Sequence, residues 1–498
     1  MEVESKEDGK VRAACVPILE EEDDTDFLRK RESRKLGLRE ALGLNFLNMF
    51  GTGPLITLPL LLRATRPHGP HALIGYACAG FVATCDSLVW AELGARFPIS
   101  GGSQTYLKET LGPLAAFVFV WQFILAGPLE VASGFAAMAN YVSYVVHLER
   151  VETGVLACIA CALAALLAHR ELARTTLVAS AISLLAIAFI LVSGFANFRH
   201  FESANGWTGR GSSFSTDRLF APTGLLFSLG RTMRIGIYDY TGYFDVNFVG
   251  DQLENPRRTI PVACIGSCVA TGIVYFLVYV AIVGVLPWDG DDGFVKRCSD
   301  RDQCYVAALF AERIVGQNFA RAFALVVSLT IFGSCFALLV GYATVPYAAS
   351  RDSLFFSWFS ANATTDRSLC VVGTIACALC FVDLDVLVEA VATTRLVAQF
   401  AAQAFGLWLL KSRPETRPSS SFNLPLHPIP QLVVILAFAF VFATSPNYIF
   451  HRRVPLLEAS LVVLLTGVAA YYATARWHAN LSAGKNTTNL RVVDHHQV

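Results

Sequence analysis

The chain has 498 residues, of which 54% are hydrophobic and only 16% are charged, and its formal net charge at pH 7 is zero. Ordinary soluble domains cannot bury so much apolar surface, so the composition predicts an integral membrane protein surrounded by lipid. The balanced charge gives no general electrostatic attraction for nucleic acid, and no nucleic-acid partner is expected.

Apolar segments long enough to cross a bilayer occur along the whole chain. Each spanning helix needs ~20 apolar residues. We predict twelve spans, near residues 40–63, 71–95, 113–146, 152–168, 175–196, 220–249, 260–287, 319–349, 368–382, 384–410, 430–446 and 454–475. The predicted organisation is a tail of residues 1–39, a transmembrane domain of residues 40–476 and a tail of residues 477–498.

Basic residues predict the orientation of this domain. Loops rich in Lys and Arg stay on the cytoplasmic side of a membrane. Six basic residues come before or at the start of the first span: Arg29, Lys30, Arg31, Arg34, Lys35 and Arg39. Because an even number of spans leaves both ends on one side, we predict a multi-pass protein with cytoplasmic N- and C-termini. No organelle-targeting motif is evident, so the plasma membrane is the expected location.

The first span is interrupted by the sequence Gly51-Thr52-Gly53-Pro54. The two glycines tolerate backbone conformations that other residues avoid, and the proline lacks an amide donor. Non-helical backbone at membrane depth is tolerated only where it is buried in protein or lines a cavity. The interruption therefore predicts a broken helix at a binding site.

The sixth span contains a second unusual segment, residues 236–245, in which glycines flank aromatic and acidic side chains. A charged side chain at the membrane centre costs roughly 2.5–3.5 kcal/mol. We therefore expect Asp239 and Asp245 to face an aqueous path or a cation. The alternative is a structural ion pair with Arg231 or Arg234.

The two interruptions occupy corresponding positions if spans one to five and six to ten form two repeats of inverted topology. In transporters built this way, half-helix N-termini attract a carboxylate, and unwound carbonyls or acids receive a cation. The pattern predicts a secondary transporter for a small nitrogen-containing solute.

Several motifs resemble those of the amino acid/polyamine/organocation (APC) superfamily, in its bacterial-type amino acid permease branch. They are GTGPLITLP at 51–59, AELGARFPISGGSQTYLKETLG at 91–112, YDYTGYFDVNFVGDQLENPRRTIP at 238–261, PYAASRDSLFF at 346–356 and TTRLVAQF at 393–400. The resemblance covers nearly all of residues 36–476. It implies an all-α integral membrane fold of 12 transmembrane helices, the LeuT-type 5+5 inverted repeat plus two extra helices, with helices 1 and 6 broken.

The resemblance also implies a substrate site. The backbone around the first break would bind the substrate carboxylate through Gly51, Thr52 and Gly53. The sixth-helix backbone would receive the amine, through the run Tyr238, Asp239, Tyr240 and Thr241. The Tyr238 ring would pack on the substrate, and Phe123 is another candidate pocket aromatic. Ordinary helix packing is the alternative for both rings.

Coupling of transport to protons is expected from membrane-embedded acids, with Asp245 and Glu130 as the candidates. The fifth span lacks the lysine that some proton-coupled relatives carry, so Na⁺ is not excluded. The structural alternative for Glu130 and Glu389 is local pairing, and Glu389 lies one and a half turns from Arg395.

No sequence motif supports enzymatic chemistry, a cofactor or a metal site. P-loop, HExxH and GxSxG motifs do not occur in the sequence, which argues against an enzyme or an ATP-driven pump. Two CxxC pairs, Cys158 with Cys161 and Cys377 with Cys380, lie in apolar runs without nearby His or carboxylate, and we interpret them as packing.

Three functions fit these features. The first is an amino acid permease that works by alternating access. The second is a polyamine or organocation transporter, for which the acidic residues would supply counter-charges. The third is a non-transporting nutrient sensor. The loop of residues 149–153 has no cysteine, which relatives with a single-pass heavy subunit carry there, so no heavy subunit is expected.

Overall fold

The computed structural model describes residues 36–49, 53–65, 69–167, 172–202, 220, 225–288, 294–296, 305–361, 364–413, 421–444 and 458–474. These residues form helices and no β-strand; a single parallel bridge joins Leu36 to Leu253. Residues 1–35 of the predicted N-terminal tail and the whole predicted C-terminal tail, residues 477–498, lie outside the described part of the chain.

Seven helices make up the first half of the described chain. They are α1 (Leu38–Met49), α2 (Gly53–Arg63), α3 (Leu73–Arg96), α4 (Ser103–Leu111), α5 (Pro113–Val146), α6 (Arg150–Leu167) and α7 (Leu172–Glu202). Gly112, at φ 95°, separates α4 from α5, and Pro113 begins α5. A left-handed glycine before a proline ends one helix and starts the next, because proline has no amide to satisfy at a helix N-terminus.

The second half of the described chain contains nine α-helices of nine or more residues. They are α8 (Leu225–Asp239), α9 (Pro256–Val285), α10 (Val306–Ile314), α11 (Gln317–Arg351), α12 (Asp366–Leu379), α13 (Leu384–Arg395), α14 (Ala402–Lys411), α15 (Ile429–Ala443) and α16 (Glu458–Thr474). A 3₁₀-helix, Asp245–Gln252, lies between α8 and α9. A π-helical turn, Leu396–Ala401, joins α13 to α14.

Six of the described helices are long and apolar enough to cross a membrane. They are α3 with the turn before it, α5, α6, residues 181–198 of α7, α9 and α11. Large apolar side chains on these helices face outward, including Leu166 and Val192, which are 78% and 73% exposed. Such apolar outer surfaces suit lipid and not water. The chain is a multi-pass membrane protein.

The interrupted helices lie between two groups of long helices. In one group α3 packs along α9, and in the other α5 packs along α11. Helix α8 contacts α2, α3 and α13, and α13 in turn packs on α5. This arrangement places the ends of α1, α2 and α8 in the interior, where both groups can contact them.

One end of the bundle is closed by a cluster around Glu92, which is fully buried. Its carboxylate bonds to Arg96, accepts a hydrogen bond from Lys411 Nζ at 2.9 Å and accepts another from the backbone amide of Leu424 at 2.8 Å. Just before α1, the backbone of Leu36 is hydrogen-bonded to the segment that precedes α9. These contacts join α3, α14 and the segment before α15.

The two CxxC pairs lie on helices that pack against each other. Cys377 Sγ on α12 is 3.8 Å from the carbonyl oxygen of Cys158 on α6. The described residues contain no group of His, Cys, Asp and Glu that could hold a metal ion.

Candidate functional site

Two helix interruptions lie next to each other inside the bundle. Helix α1 ends at Met49 and α2 begins at Gly53. Residues 50–52 lie outside the described part of the chain, and with them the predicted site residues Gly51 and Thr52. Helix α8 ends at Asp239, and a turn containing Gly242, at φ 117°, leads to the 3₁₀-helix that begins at Asp245.

Side-chain hydrogen bonds connect the two interruptions. Thr57 Oγ1 of α2 donates to Asp239 Oδ2 at 2.8 Å, and Asn48 Nδ2 of α1 donates to Asp245 Oδ2 at 2.7 Å. Asn45 Nδ2 donates to the Tyr243 carbonyl oxygen at 2.6 Å. Helices α1 and α2 are therefore both hydrogen-bonded to the second interruption, between the end of α8 and the start of the 3₁₀-helix.

Gly53 is required at the start of α2 because the neighbouring chain is too close for a side chain. A Cβ atom at this position would lie 2.7 Å from Asp239 Oδ1 and 3.4 Å from Tyr275 Cε2. The first amides of a helix have no partner within the helix and carry the positive end of its dipole. The start of α2 therefore offers amide donors that suit a carboxylate.

The predicted alternative partners of the two aspartates bind elsewhere. Arg231 and Arg234 both bond to Glu389, at 3.1 and 2.7 Å, so neither forms the predicted structural pair with Asp239 or Asp245. That alternative is wrong because Glu389 on α13 faces the same side of α8 as both arginines. The local alternative for Glu389, an ion pair with Arg395, is not found among the described residues either, because Glu389 binds the two arginines of α8.

Asp239 accepts hydrogen bonds from hydroxyl groups. Besides Thr57, the hydroxyl of Tyr279 on α9 donates to Asp239 Oδ2. Tyr279 also shares a 2.6 Å hydrogen bond with Thr57 Oγ1. Among the described residues, neither Asp239 nor Asp245 forms an ion pair, although both are more than nine-tenths buried.

Glu130 on α5 is the centre of a buried polar network. Its Oε2 lies 2.6 Å from Arg395 Nη2 and accepts a 2.6 Å hydrogen bond from the Tyr342 hydroxyl. Its Oε1 accepts a hydrogen bond at 3.1 Å from Thr241 Oγ1, in the turn after α8. The Arg395 guanidinium also lies 5.5 Å from the ring centre of Phe123. Glu130 and Phe123 thus both contact Arg395, which connects them to α13.

The two tyrosines of the predicted site have different surroundings. The Tyr238 hydroxyl is 2.8 Å from Ser133 Oγ on α5, so the ring extends from α8 towards α5. The Tyr240 ring stacks on Tyr76 of α3, with ring centres 5.3 Å apart. Tyr238 therefore lies on the α5 side of the interruption, whereas the Tyr240 side chain packs against α3.

A cavity of about 340 Å³ opens beside α2 and α5. Ile56 and Ala136 line it, and these residues lie one helical turn beyond Gly53 and Ser133 respectively. The cavity also has a charged lining, which comprises Arg63, Arg150, Asp383 and Asp385. It gives a space of the size of a small ligand beside α2, one helical turn from the first interruption.

Several residues of this site were not identified from the sequence. The amides Asn45 and Asn48 precede the first interruption at a spacing of three, and Thr57 follows Gly53 at a spacing of four. These spacings place polar groups on one helix face beside the break. That signal was available, whereas the partners contributed by Tyr279 and Tyr342 could not be located without the packing of α9 and α11.

The sequence matches a family model described as amino acid permease over residues 36–471. The chain is 27% identical over 462 residues to the human cystine/glutamate transporter, covering 89% of this chain and 86% of that protein. It is 22% identical to the methylthioribose transporter of Bacillus subtilis, over 81% of this chain and 87% of that protein. It is 25% identical to the mouse b(0,+)-type amino acid transporter 1, over 53% of this chain and 57% of that protein. The match to the family model extends over most of the chain, which belongs to the amino acid permease family.

Proposed function

We propose that this permease carries amino acids across a membrane by alternating access, with the substrate bound between the two helix interruptions. The observation that carries this proposal is the direct hydrogen bonding of α1 and α2 to the two ends of the second interruption, through Asn48 with Asp245 and Thr57 with Asp239. Relatives named as amino acid transporters support the substrate class.

A zwitterionic amino acid matches the groups available there. Its carboxylate would bind the amides at the start of α2, around Gly51, Thr52 and Gly53. Its ammonium group would bind backbone carbonyls at the end of α8, within the run from Tyr238 to Thr241. The Tyr238 ring, placed between α8 and Ser133, would cover the substrate on the α5 side.

The proposed architecture has twelve spans within residues 40–476, arranged as two inverted five-helix repeats and two further helices. Helices lie in all twelve predicted segments. In this proposal α1 with α2 forms the first span, α8 with the 3₁₀-helix forms the sixth, and α13 with α14 forms the tenth. We place the protein in the plasma membrane. The tails of residues 1–39 and 477–498 then both lie in the cytoplasm.

The two ends of the bundle differ in a way that supports alternating access. The 340 Å³ cavity opens at the end where α2 finishes and α6 begins. The Glu92 cluster and the backbone bonds of Leu36 close the end where α1 begins. In the orientation proposed above, the cavity faces outward and the closed end faces the cytoplasm. Transport then requires the Leu36 contacts to open as the cavity closes.

The proposal predicts exchange of amino acids by purified protein in liposomes. Vesicles loaded with a mixture of unlabelled amino acids should take up labelled glutamate, leucine or arginine by counterflow. We expect competition by the amino acid that exchanges but not by the matching amine that lacks only the carboxylate, because that amine cannot bind the start of α2. Loss of a charged hydrogen-bonded group of this kind weakens binding by about 10- to 100-fold.

The other two candidate functions give different results in the same vesicles. Competition by putrescine and spermidine, without competition by any amino acid, would indicate an organocation transporter. Binding of an amino acid without counterflow would indicate a sensor. Either result would contradict the proposed function.

A further inference from the structure

A carboxylate that plays no part in the proposed substrate site is buried on α3. Asp86 is fully buried and lies midway along this helix. Its Oδ2 accepts a 3.0 Å hydrogen bond from Trp90 Nε1 and another from the hydroxyl of Tyr243. Its Oδ1 has no hydrogen-bond partner among the described residues. An oxygen left in this way is unusual, because buried polar atoms are nearly always hydrogen-bonded.

The titratable groups that face Asp86 carry no positive charge. They are the Tyr243 hydroxyl and the thiols of Cys85, on α3, and of Cys264 and Cys268, on α9. Helix α15, which also packs on α3, has no titratable side chain. Asp245 also acts electrostatically on Cys264 and adds negative charge to this region.

The cations of α14 and those of α8 that pack near α3 bind different acids. Lys411 of α14 bonds to Glu92, and Arg231 and Arg234 of α8 bond to Glu389. In the described part of the chain, Asp86 forms no ion pair. A buried carboxylate without a cation is unfavourable, and binding a proton removes its charge.

Tyr243 connects Asp86 to the interrupted helices. Its hydroxyl bonds to Asp86, and its carbonyl oxygen accepts the hydrogen bond from Asn45 of α1. The preceding residue, Gly242, lies so close to Met49 that an added Cβ would be 2.9 Å from Met49 Cγ. Tyr243 therefore connects both the turn after α8 and helix α1 to α3.

Protonation of Asp86 changes the strength of this attachment. An ionised carboxylate accepts a charge-assisted hydrogen bond, which is stronger than a bond to a neutral acid. The ionised form therefore holds Tyr243 and α1 against α3, and the protonated form weakens that contact. A conformation in which the contact is open then binds the proton more tightly than one in which it is closed.

We propose that Asp86 is the proton-binding site that couples substrate movement to a proton gradient. The inference rests on the proposed transport function. One proton from water adds to the unpartnered Oδ1 on one side of the membrane, and the same proton returns to water on the other side. Because the two conformations differ in proton affinity, proton binding shifts their populations. Asp86 takes this role in place of Glu130, whose charge is already balanced by Arg395. It also takes it in place of Asp245, because among the described residues Asp86 has a buried carboxylate oxygen without a hydrogen-bond partner and Asp245 has none.

The test compares wild-type protein with Asp86→Asn in liposomes, using whichever of labelled glutamate, leucine and arginine the wild type exchanges. Counterflow at equal pH measures exchange, and uptake under an inward gradient of about one pH unit measures coupling. One coupled proton allows up to about tenfold accumulation under this gradient. We expect the wild type to accumulate substrate, and Asp86→Asn to retain counterflow while its accumulation ratio falls to about one.

Gradient-driven accumulation by Asp86→Asn equal to that of the wild type would overturn the inference. Accumulation by the wild type under a Na⁺ gradient but not a proton gradient would also overturn it. Both results differ from a failure of the proposed function, in which the wild type exchanges none of the labelled amino acids.

A second variant gives a test that does not depend on folding of Asp86→Asn. Tyr243→Phe keeps the acid and removes the hydroxyl that stabilises its ionised form, so the pH of half-maximal accumulation should rise. Tyr106→Phe is the matched control, because it also removes a buried hydroxyl, one that bonds to Asn247 at 2.8 Å and does not contact Asp86. An identical pH profile for wild type, Tyr243→Phe and Tyr106→Phe would overturn the inference.

Discussion

Gly53→Ala is expected to lower amino acid exchange at subsaturating substrate by at least about tenfold. The added Cβ would lie 2.7 Å from Asp239 Oδ1, so either α2 or the carboxylate must move. Asp239 cannot move freely, because Thr57 and Tyr279 hold it through hydrogen bonds. We therefore expect a shift of the α2 start, which misplaces the amides that bind the substrate carboxylate. A tenfold change corresponds to about 1.4 kcal/mol of binding.

The matched control for this change is Gly43→Ala. Gly43 lies in α1, on the same interrupted span, and no atom lies within 4 Å of a Cβ added there. Counterflow in liposomes should give a strongly raised half-saturating concentration for Gly53→Ala and a value near that of the wild type for Gly43→Ala. Equal exchange by both variants and the wild type would show that the start of α2 does not bind the substrate.

The second large effect is expected on stability. Glu130→Gln should lower the free energy of unfolding by about 3–5 kcal/mol, because it leaves the Arg395 charge buried without its carboxylate. The side chains of Arg395 and Glu130 are only 1% and 7% exposed. The double variant Glu130→Gln/Arg395→Gln removes both charges and should recover a substantial part of this loss. Denaturant titration in detergent micelles, followed by tryptophan fluorescence, measures the three values.

The ion pair of Arg150 and Asp383 provides a control at the edge of the cavity. Its side chains are 53% and 28% exposed, and exposed pairs contribute about 0–1 kcal/mol. Asp383→Asn should therefore change the unfolding free energy much less than Glu130→Gln. If the two changes cost the same, the Glu130–Arg395 pair is not the buried connection between α5 and α13 that its geometry indicates.

The positions of the helix interruptions could be predicted from the sequence because their causes are local. Glycine and proline determine where a helix cannot continue, and this information lies within residues 51–54 and 236–242. The short helices α4 and α10 were not predicted, since each has only nine residues, too few to stand out among long apolar runs, and α4 is also polar. The structure places both between longer helices.

The charge partners could not be predicted, because they depend on which helix faces which. Arg234 and Glu389 are 155 positions apart, and their ion pair requires the contact between α8 and α13. Sequence spacing led us to expect ion pairs of Arg231 or Arg234 with the two aspartates of the second interruption. It also favoured a pair of Glu389 with Arg395, and both expectations were wrong. Asp86 could not be identified from the sequence for the same reason. Only the structure shows that it forms no ion pair with any described residue.

The central claim is that an amino acid binds between the two interruptions. A cryo-electron microscopy structure in lipid nanodiscs, with a saturating concentration of a transported amino acid, tests it most directly. We expect ligand density with its carboxylate at the start of α2, near Gly53, and its amino group at the end of α8, beside Tyr238. Density confined to the cavity lined by Arg63 and Asp383, with none between the interruptions, would contradict it.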